Sequence, residues 1–149
     1  MKIIQLTQNK ETLVCECHYD LVKDFKWCYG SGQGGYAIRR GEEGKTVLMH
    51  RVINHTVKGF DTDHKNENKL DNRCSNLRDA TRSQNKFNQK NRSDNTSGHK
   101  GIHWNKLLNK WSVRLCKDGK RWYVGHSIDL EEAIKIYEIE AKRYYGEFA

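Results

Sequence analysis

The chain has no proline, and hydrophobic residues make up only 36% of its 149 positions. A composition this polar predicts a soluble protein with thin cores. No apolar run is long enough to span a bilayer or to serve as a signal peptide, so neither membrane insertion nor export is expected. Cysteine is present but lacks the Cys-x-x-Cys spacing of common structural zinc sites, and its count of five is odd. Without an export signal, these are expected to be reduced thiols in a cytoplasm-like compartment. Cys15, Cys17 and His18, with Cys28 further on, can be written as a zinc site, but small buried residues are the default reading. Asn91 and Asn95 each begin an Asn-x-Ser sequence; with no secretory signal, both are expected to stay unmodified.

An acidic excess is lacking too. Lys and Arg number 27 against 19 Asp and Glu, which gives a formal charge of +8. A basic balance of this kind points to nucleic acid or an anionic surface. No segment joins a basic face to a strong apolar face, so nucleic acid is the expected partner. The length accommodates one domain or two small ones.

The chain is organised around DTDHKNENKLDNRCSNLRDATRSQNKFN, residues 61–88. Asp63 and His64 are adjacent, Asn76 follows twelve residues after His64, and Asn85 nine after that. An imidazole beside a carboxylate, with two amides at wider intervals, can hold one hard divalent cation and one general base around a phosphate. The spacing predicts a strand over Phe60 to His64, a loop over Lys65 to Ser75 and a returning strand over Leu77 to Thr81. Ser83 is the expected N-cap of a helix over Gln84 to Lys90, whose first turn carries Asn85. These elements would bring Asp63, His64, Asn76 and Asn85 to one crevice. Arg78, two residues past Asn76, is expected on the same strand face, where it can meet a phosphate oxygen.

These residues resemble the HNH endonucleases with a ββα-metal motif, most closely the phage and intron-encoded homing endonucleases. That group carries a His-Arg pair, then Asp-His, then Asp-Asn-Arg-x-x-Asn-Leu-Arg and a final Asn. The matching residues are His50-Arg51, Asp63-His64, Asp71 to Arg78, and Asn85. The resemblance implies that Asp63 and Asn85 ligate Mg²⁺ (or Mn²⁺), one ion per active site. It implies that His64 deprotonates the attacking water and that Asn76 orients the His64 ring from behind. The final ligand is Asn where other branches carry His. Taken singly, an Asp-His pair in a polar loop is a solvated turn; the four positions and Asn-Leu-Arg together carry the reading, and a folded but silent relic is the remaining alternative.

Residues 1–48 read as short strands, with Gly35 to Arg40 and Thr46 to Met49 flanking a Gly41 to Gly44 turn as a hairpin. Trp27 and Tyr29 are expected to supply most of that core. Arg39 and Arg40 are read as a solvated strand, with a DNA backbone contact as the alternative. The glycines from Gly30 to Gly35 are read as a flexible turn, because no helix follows them. A short helix over His50 to Val57 leads into the motif, with His50 and His55 as packing or surface residues. Residues 89–98 read as a linker.

Residues 99–149 form a second unit. Strands are expected over Gly101 to Lys106, Lys110 to Lys117 and Lys120 to Ser127, the last two joined by an Asp118-Gly119 turn. A helix follows from Asp129, with Glu132 as capping-box partner and Leu130, Ala133, Ile134, Tyr137, Ala141 and Tyr144 at helical spacing. The unit resembles the APETALA2-type DNA-binding domain through Gly101-Ile102, Trp111 to Arg114, Arg121 to Gly125, and the helix from Glu131 through Tyr145 to Ala149. Residues 99–128 hold seven Lys or Arg and one Asp, net +6, whereas 129–149 hold three against six, net −3. A basic sheet reading DNA with an acidic helix behind it fits that split. Alternation places Trp111, Val113, Leu115, Trp122 and Val124 toward the helix. It places His103, Asn105, Ser112, Arg114, Cys116, Arg121 and Tyr123 on the other face, where His103, Asn105, Arg114, Arg121 and Tyr123 are the expected DNA-binding residues.

The expected fold class is α+β. It comprises a ββα-metal HNH nuclease core (60–90) with an amino-terminal β-hairpin region in a 1–88 domain, the 89–98 linker, and a carboxy-terminal three-stranded antiparallel sheet packed on one helix (99–149). The expected function is site-specific, metal-dependent cleavage of double-stranded DNA, homing-endonuclease-like, by a monomer in the cytoplasm of a bacterial host. A phage or intron origin is expected. The rivals are a non-catalytic DNA-binding regulator with a degenerate HNH centre, and a non-homing phage or restriction nuclease.

Overall fold

The computed structural model describes residues 1–87, 95, 97–117 and 119–148. Most of the expected linker, the end of the helix expected to reach Lys90, Asn91, and Asp118 of the expected Asp118-Gly119 turn lie outside these residues. The architecture is mixed α and β, with several small sheets and one long helix. No helix among the described residues is long and apolar enough to cross a membrane. The chain divides into two compact units, Met1–Arg82 and Ser83–Ala149.

The first unit opens with β1 (Lys2–Gln5) and β2 (Glu11–Val14), an antiparallel pair, followed by the single turn α1 (Glu16–Tyr19). Strands β3 (Cys28–Gly30), β4 (Tyr36–Arg40) and β5 (Thr46–Leu48) make a three-stranded antiparallel sheet. The expected hairpin is its β4–β5 half, turned by Glu43 and Gly44 at positive φ; β3 is an addition. α2 (Met49–Ile53) then leads to β6 (Asp61–His64). Within the expected loop lies β7 (Asp71–Asn72), which pairs in parallel with β2, Leu13 against Asp71 and Val14 against Asn72. Two polar residues carry no strand signal; their partner, almost 60 residues earlier, supplies one. A 3-10 turn over Cys74–Asn76 precedes β8 (Leu77–Ala80), which returns antiparallel to β6.

The core of this unit is Leu6, Val14, Val22, Trp27, Ala37, Met49, Ile53 and Leu77. Trp27 is central, and its indole N–H donates to the Val22 carbonyl at 2.8 Å, as a buried indole requires. Tyr29 only packs at the margin, so it contributes less than expected. The Arg39 guanidinium lies over the Phe25 ring at 4.1 Å and the Trp27 ring at 5.6 Å, and Arg40 donates to the Gly44 carbonyl. Both arginines therefore serve the hairpin itself.

The second unit takes in all but the first residue of α3 (Arg82–Phe87). The sequence reading ends the first domain at residue 88, whereas the compact unit ends before Ser83. Phe87 stacks on Tyr145 at 3.8 Å and its carbonyl accepts from Lys100 Nζ, which ties the end of α3 to this unit. The antiparallel sheet runs β11–β10–β9, with β9 at Ile102–Asn105, β10 at Lys110–Lys117 and β11 at Lys120–Ser127. Helix α4 (Leu130–Tyr145) covers one face, packing Ala133, Ile134, Ile136 and Tyr137 on Ile102, Val113 and Val124. Asp129 caps α4 by accepting from the Glu131 N–H. The expected capping box does not close, because the Glu132 carboxylate takes the Ser127 hydroxyl instead. Tyr145 is buried, while Tyr144 is exposed and stacks on Trp122.

Gly101, at φ +68°, lies in close contact with both β10 and α4. A Cβ there would lie 2.2 Å from the Arg114 carbonyl oxygen and 2.6 Å from the Tyr137 ring. A Cβ at Gly98, at φ +73°, would meet nothing within 4 Å among the described residues. Gly98→Ala should therefore cost about 1 kcal/mol, the left-handed penalty alone. Gly101→Ala should cost about 3 kcal/mol or more, because backbone and helix must also part. Urea unfolding of the two variants checks this, and equal losses would mean that the close approach is absent.

Candidate active site and candidate DNA-binding sheet

Pairing of β6 with β8 sets the first part of the site: Asp63 faces Arg78 and His64 faces Leu77 across the ladder. Asp63 and His64 are each only 4% exposed. An unpaired charge at that depth is costly, and Arg78 supplies the countercharge, with Nε and Nη2 both 2.9 Å from Asp63 Oδ2. This corrects the sequence reading of Arg78. Its guanidinium holds the Asp63 carboxylate, and Asn76 is in the 3-10 turn before β8, so the two do not share a strand face.

The His64 ring is held by Asn72, whose Oδ1 is 3.1 Å from His64 Nε2. The directions of the neighbouring bonds follow from their partners. The Leu70 carbonyl can only accept, so the Thr12 hydroxyl donates to it at 2.7 Å. Thr12 Oγ1 therefore accepts from Asn72 Nδ2, also at 2.7 Å, and Asn72 turns its carbonyl oxygen to His64. His64 then carries its proton on Nε2, which leaves Nδ1 as the basic nitrogen. Burial lowers the His64 pKa, although Asn72, Asp63 and Asp71 oppose that shift, so the ring is neutral at pH 7.

The orienting role read for Asn76 is thus filled by Asn72. Asn76 instead staples the loop after His64: its Oδ1 accepts from the Asn66 N–H, and its Nδ2 donates to Asn66 Oδ1 and the Asp71 carbonyl. Asp71 accepts from Asn66 and from Arg73, whose guanidinium holds the Asp71 carboxyl below the usual carboxylate range. Amides suit this loop because each offers a donor and an acceptor to a backbone that has no ladder partner. Asn85 lies half-buried on α3, in the second unit, whereas Asp63 and His64 belong to the first.

Sequence reasoning gave His50 too little weight. Its ring sits edge-on to His64 at 5.1 Å and beside Tyr36 at 4.7 Å, and its buried Nδ1 has no hydrogen-bond partner among the described residues. Lys69 lies 4.9 Å over the other partner, Tyr36. The available signals were the His-Arg pair itself and the strand read over Gly35 to Arg40, which carries Tyr36; neither says that the two rings meet.

In the second unit, register defines the outward face. Asn105 pairs with Lys110, His103 with Ser112, Ser112 with His126, Arg114 with Tyr123 and Cys116 with Arg121. Arg114, Arg121 and Tyr123 are exposed there, and His103 is half-buried, with burial and the Arg114 charge lowering its pKa. The carbonyl oxygen of Asn105 is engaged by the Leu107 and Leu108 N–H groups, so this side chain shapes the β9–β10 turn. A β-bulge between Val113 and Arg114 puts both Val124 and Gly125 toward α4 and turns His126 outward, against Tyr123. Strict alternation assigns His126 to the helix side; one inserted residue reverses that.

His50 is held down to a pKa of about 3 by burial, with His64 and Arg51 adding to the shift. Its unfolded value is about 6.5, so between these values the unfolded chain binds the extra proton. Its contribution is complete above about pH 6.5 and is lost as pH falls toward 3, at up to about 1.4 kcal/mol per pH unit. The lowered His64 pKa acts in the same sense. Urea-unfolding free energies from pH 7 to 4 should fall more steeply for the wild type than for His50→Gln; parallel curves would show that His50 is not buried in its neutral form.

No protein-family profile matches the chain, and no solved structure gives a significant match. Among curated proteins, the chain is 32% identical over 136 residues to an uncharacterized HNH endonuclease of Acanthamoeba polyphaga mimivirus, covering 88% of this chain and 68% of that protein. It is 34% identical over 92 residues to Protein 3.8 of Escherichia phage T7, covering 62% of this chain and 75% of that protein. With its Asp-His pair on the first strand of a β-hairpin, and with a relative of that name aligned along most of its length, the chain belongs to the HNH endonuclease family.

Proposed function

We propose that the chain is a metal-dependent DNA endonuclease that hydrolyses phosphodiester bonds in double-stranded DNA at selected sites, in the manner of a homing endonuclease. The observation that carries this reading is the chain of hydrogen bonds from Leu70 through Thr12 and Asn72 to His64, which presents a neutral, fixed imidazole beside Asp63. His64 Nδ1 accepts the proton of the attacking water. Nε2–H stays on Asn72 throughout, so the ring keeps its direction while its charge changes. The donor chemistry fits a hard cation: Asp63 is a carboxylate already held in position by Arg78, and Mg²⁺ or Mn²⁺ needs few protein ligands because it keeps several waters. Asp63 would hold one such ion, which when bound would stabilise the charge developing on the phosphoryl group and the leaving 3′-oxygen. The products are then 5′-phosphate and 3′-hydroxyl ends.

The second unit is proposed as the DNA-binding part, an APETALA2-type domain whose sheet meets DNA through Arg114, Arg121, Tyr123, His103 and His126. Its outward face is basic and polar, and its apolar face is covered by α4. The hold of Arg78 on Asp63 favours one rival, a DNA-binding regulator with a silent centre, because a guanidinium already neutralises the carboxylate.

Supercoiled plasmid carrying the target separates the two. With Mg²⁺ the wild type should cut and with chelator it should not, and open-circular DNA should accumulate first, because one chain carries one His64. His64→Ala should abolish cleavage and Asn72→Ala should slow it about 100-fold, both with DNA affinity nearly unchanged. Wild-type turnover by His64→Ala, or no cutting by the wild type at any divalent metal, would reject the nuclease reading. Arg114→Ala or Arg121→Ala should each weaken specific binding by about 1–3 kcal/mol if the side chain reads a base, and by less if it meets only phosphate. Competition binding on specific and random duplexes measures this, and unchanged affinity in both variants would remove the sheet face from the DNA interface.

A further inference from the structure

Outside the catalytic centre, the first unit gathers four metal-ligating side chains that none of the functional readings above uses. Cys15 ends the extended segment after β2, Cys17 and His18 lie on α1, and Cys74 lies in the 3-10 turn before Asn76. Their ligand atoms all fall within 4.8 Å of one another. Cys15 Sγ is 3.0 Å from Cys74 Sγ, and Cys17 Sγ is 3.1 Å from His18 Nδ1. All the cysteines are free thiols. Sequence proximity accounts for three of the four; Cys74 arrives from 59 residues past Cys15. It is delivered there by the parallel β2–β7 pairing, which sets the chain two residues before Cys74 beside Val14.

We infer that Cys15, Cys17, His18 and Cys74 form a structural zinc site. Three sulfurs and an imidazole nitrogen are a soft, nitrogen-and-sulfur set that selects zinc over hard cations such as Mg²⁺, and four protein ligands close the tetrahedron without leaving a position for substrate. Zn–S and Zn–N bonds of about 2.3 and 2.1 Å imply edges of about 3.5–3.8 Å, so to take up the ion the two close pairs, at 3.0 and 3.1 Å, must spread and any pair near the 4.8 Å limit must close, each by about 1 Å or less. The Cys74 N–H already donates to Cys15 Sγ at 2.8 Å, an outer contact that supports a thiolate. On binding, thiol protons pass to solvent, and three thiolates around Zn²⁺ carry one net negative charge. Cys28, the partner suggested by sequence order, lies in β3 and outside the cluster. The zinc clamps the β2–α1 corner to the segment that carries Asn72, and so fixes the residue that holds His64.

The test uses the full-length protein, purified under reducing conditions, and needs no DNA. Metal analysis should find about one zinc per chain, and exchange with Co²⁺ should give thiolate-to-cobalt charge-transfer bands with the intense visible bands of a tetrahedral site. With zinc bound, Cys17 and Cys74, both exposed, should resist alkylation, and chelator should restore their reactivity; exposed Cys116 should react in either state. Cys74→Ser and Cys17→Ser should lose the zinc, while Cys28→Ser retains it. If the first two variants do not fold, the cobalt spectrum and the alkylation pattern of the wild type decide. The inference is overturned by reduced wild-type protein that neither contains nor takes up zinc, by full zinc content in Cys74→Ser, by alkylation of Cys17 and Cys74 indifferent to chelator, or by a Cys15–Cys74 disulfide in their place. Because every readout is metal content or thiol protection, failure here leaves the nuclease reading standing, and the reverse holds too.

Discussion

The first unit depends on the two-residue parallel pairing of β7 with β2. By laying Asp71 and Asn72 beside Leu13 and Val14, it brings the Leu70 carbonyl to Thr12 and the Asn72 amide to the same hydroxyl. Each bond in that line has one permissible direction, because a carbonyl cannot donate and an amide nitrogen cannot accept. The last member, His64, inherits a tautomer from a strand that precedes it by half a hundred residues. The pairing also carries Cys74 to Cys15, so the amide that holds His64 and the thiol cluster hang on the same short ladder.

Three arginines of this unit are engaged by its own side chains. Arg78 neutralises Asp63, Arg73 holds Asp71 in a two-pronged pair, and Arg39 stacks on Phe25 and Trp27. A basic composition is therefore a poor guide to which arginines meet DNA, since several answer buried carboxylates or aromatic faces at closer range. In the second unit the outward sheet face keeps its arginines exposed, and the acidic residues gather on α4. That difference is why the DNA-reading role is proposed for Arg114 and Arg121 and not for Arg39 or Arg78.

The β-bulge at Val113 and Arg114 has a comparable effect on a smaller scale. It gives α4 two adjacent β11 residues, Val124 and the close-packed Gly125, and sends His126 outward beside Tyr123. One residue of irregularity both seats the helix and enlarges the polar face.

The sequence by itself determined the elements whose signal is local. Alternation marked β10 and β11 to the residue, the polar flanks marked β6 and β8 within one residue, and the spacing of Ala133, Tyr137 and Ala141 marked α4. It also singled out Asp63 and His64, because adjacent carboxylate and imidazole are visible without a fold. Tertiary structure decided which side chains serve them. Asn72 and Asn76 are the same residue type four positions apart, and nothing local says which reaches the imidazole; the β2 ladder chooses Asn72 and leaves Asn76 to the loop. Arg78 meets Asp63 because cross-strand register puts them opposite, His50 meets His64 because α2 packs between sheets, and Cys74 replaces Cys28 among the thiols because β7 lies on β2. In each case the deciding contact joins residues distant in sequence, and its energy is realised only once the chain has closed the intervening loop.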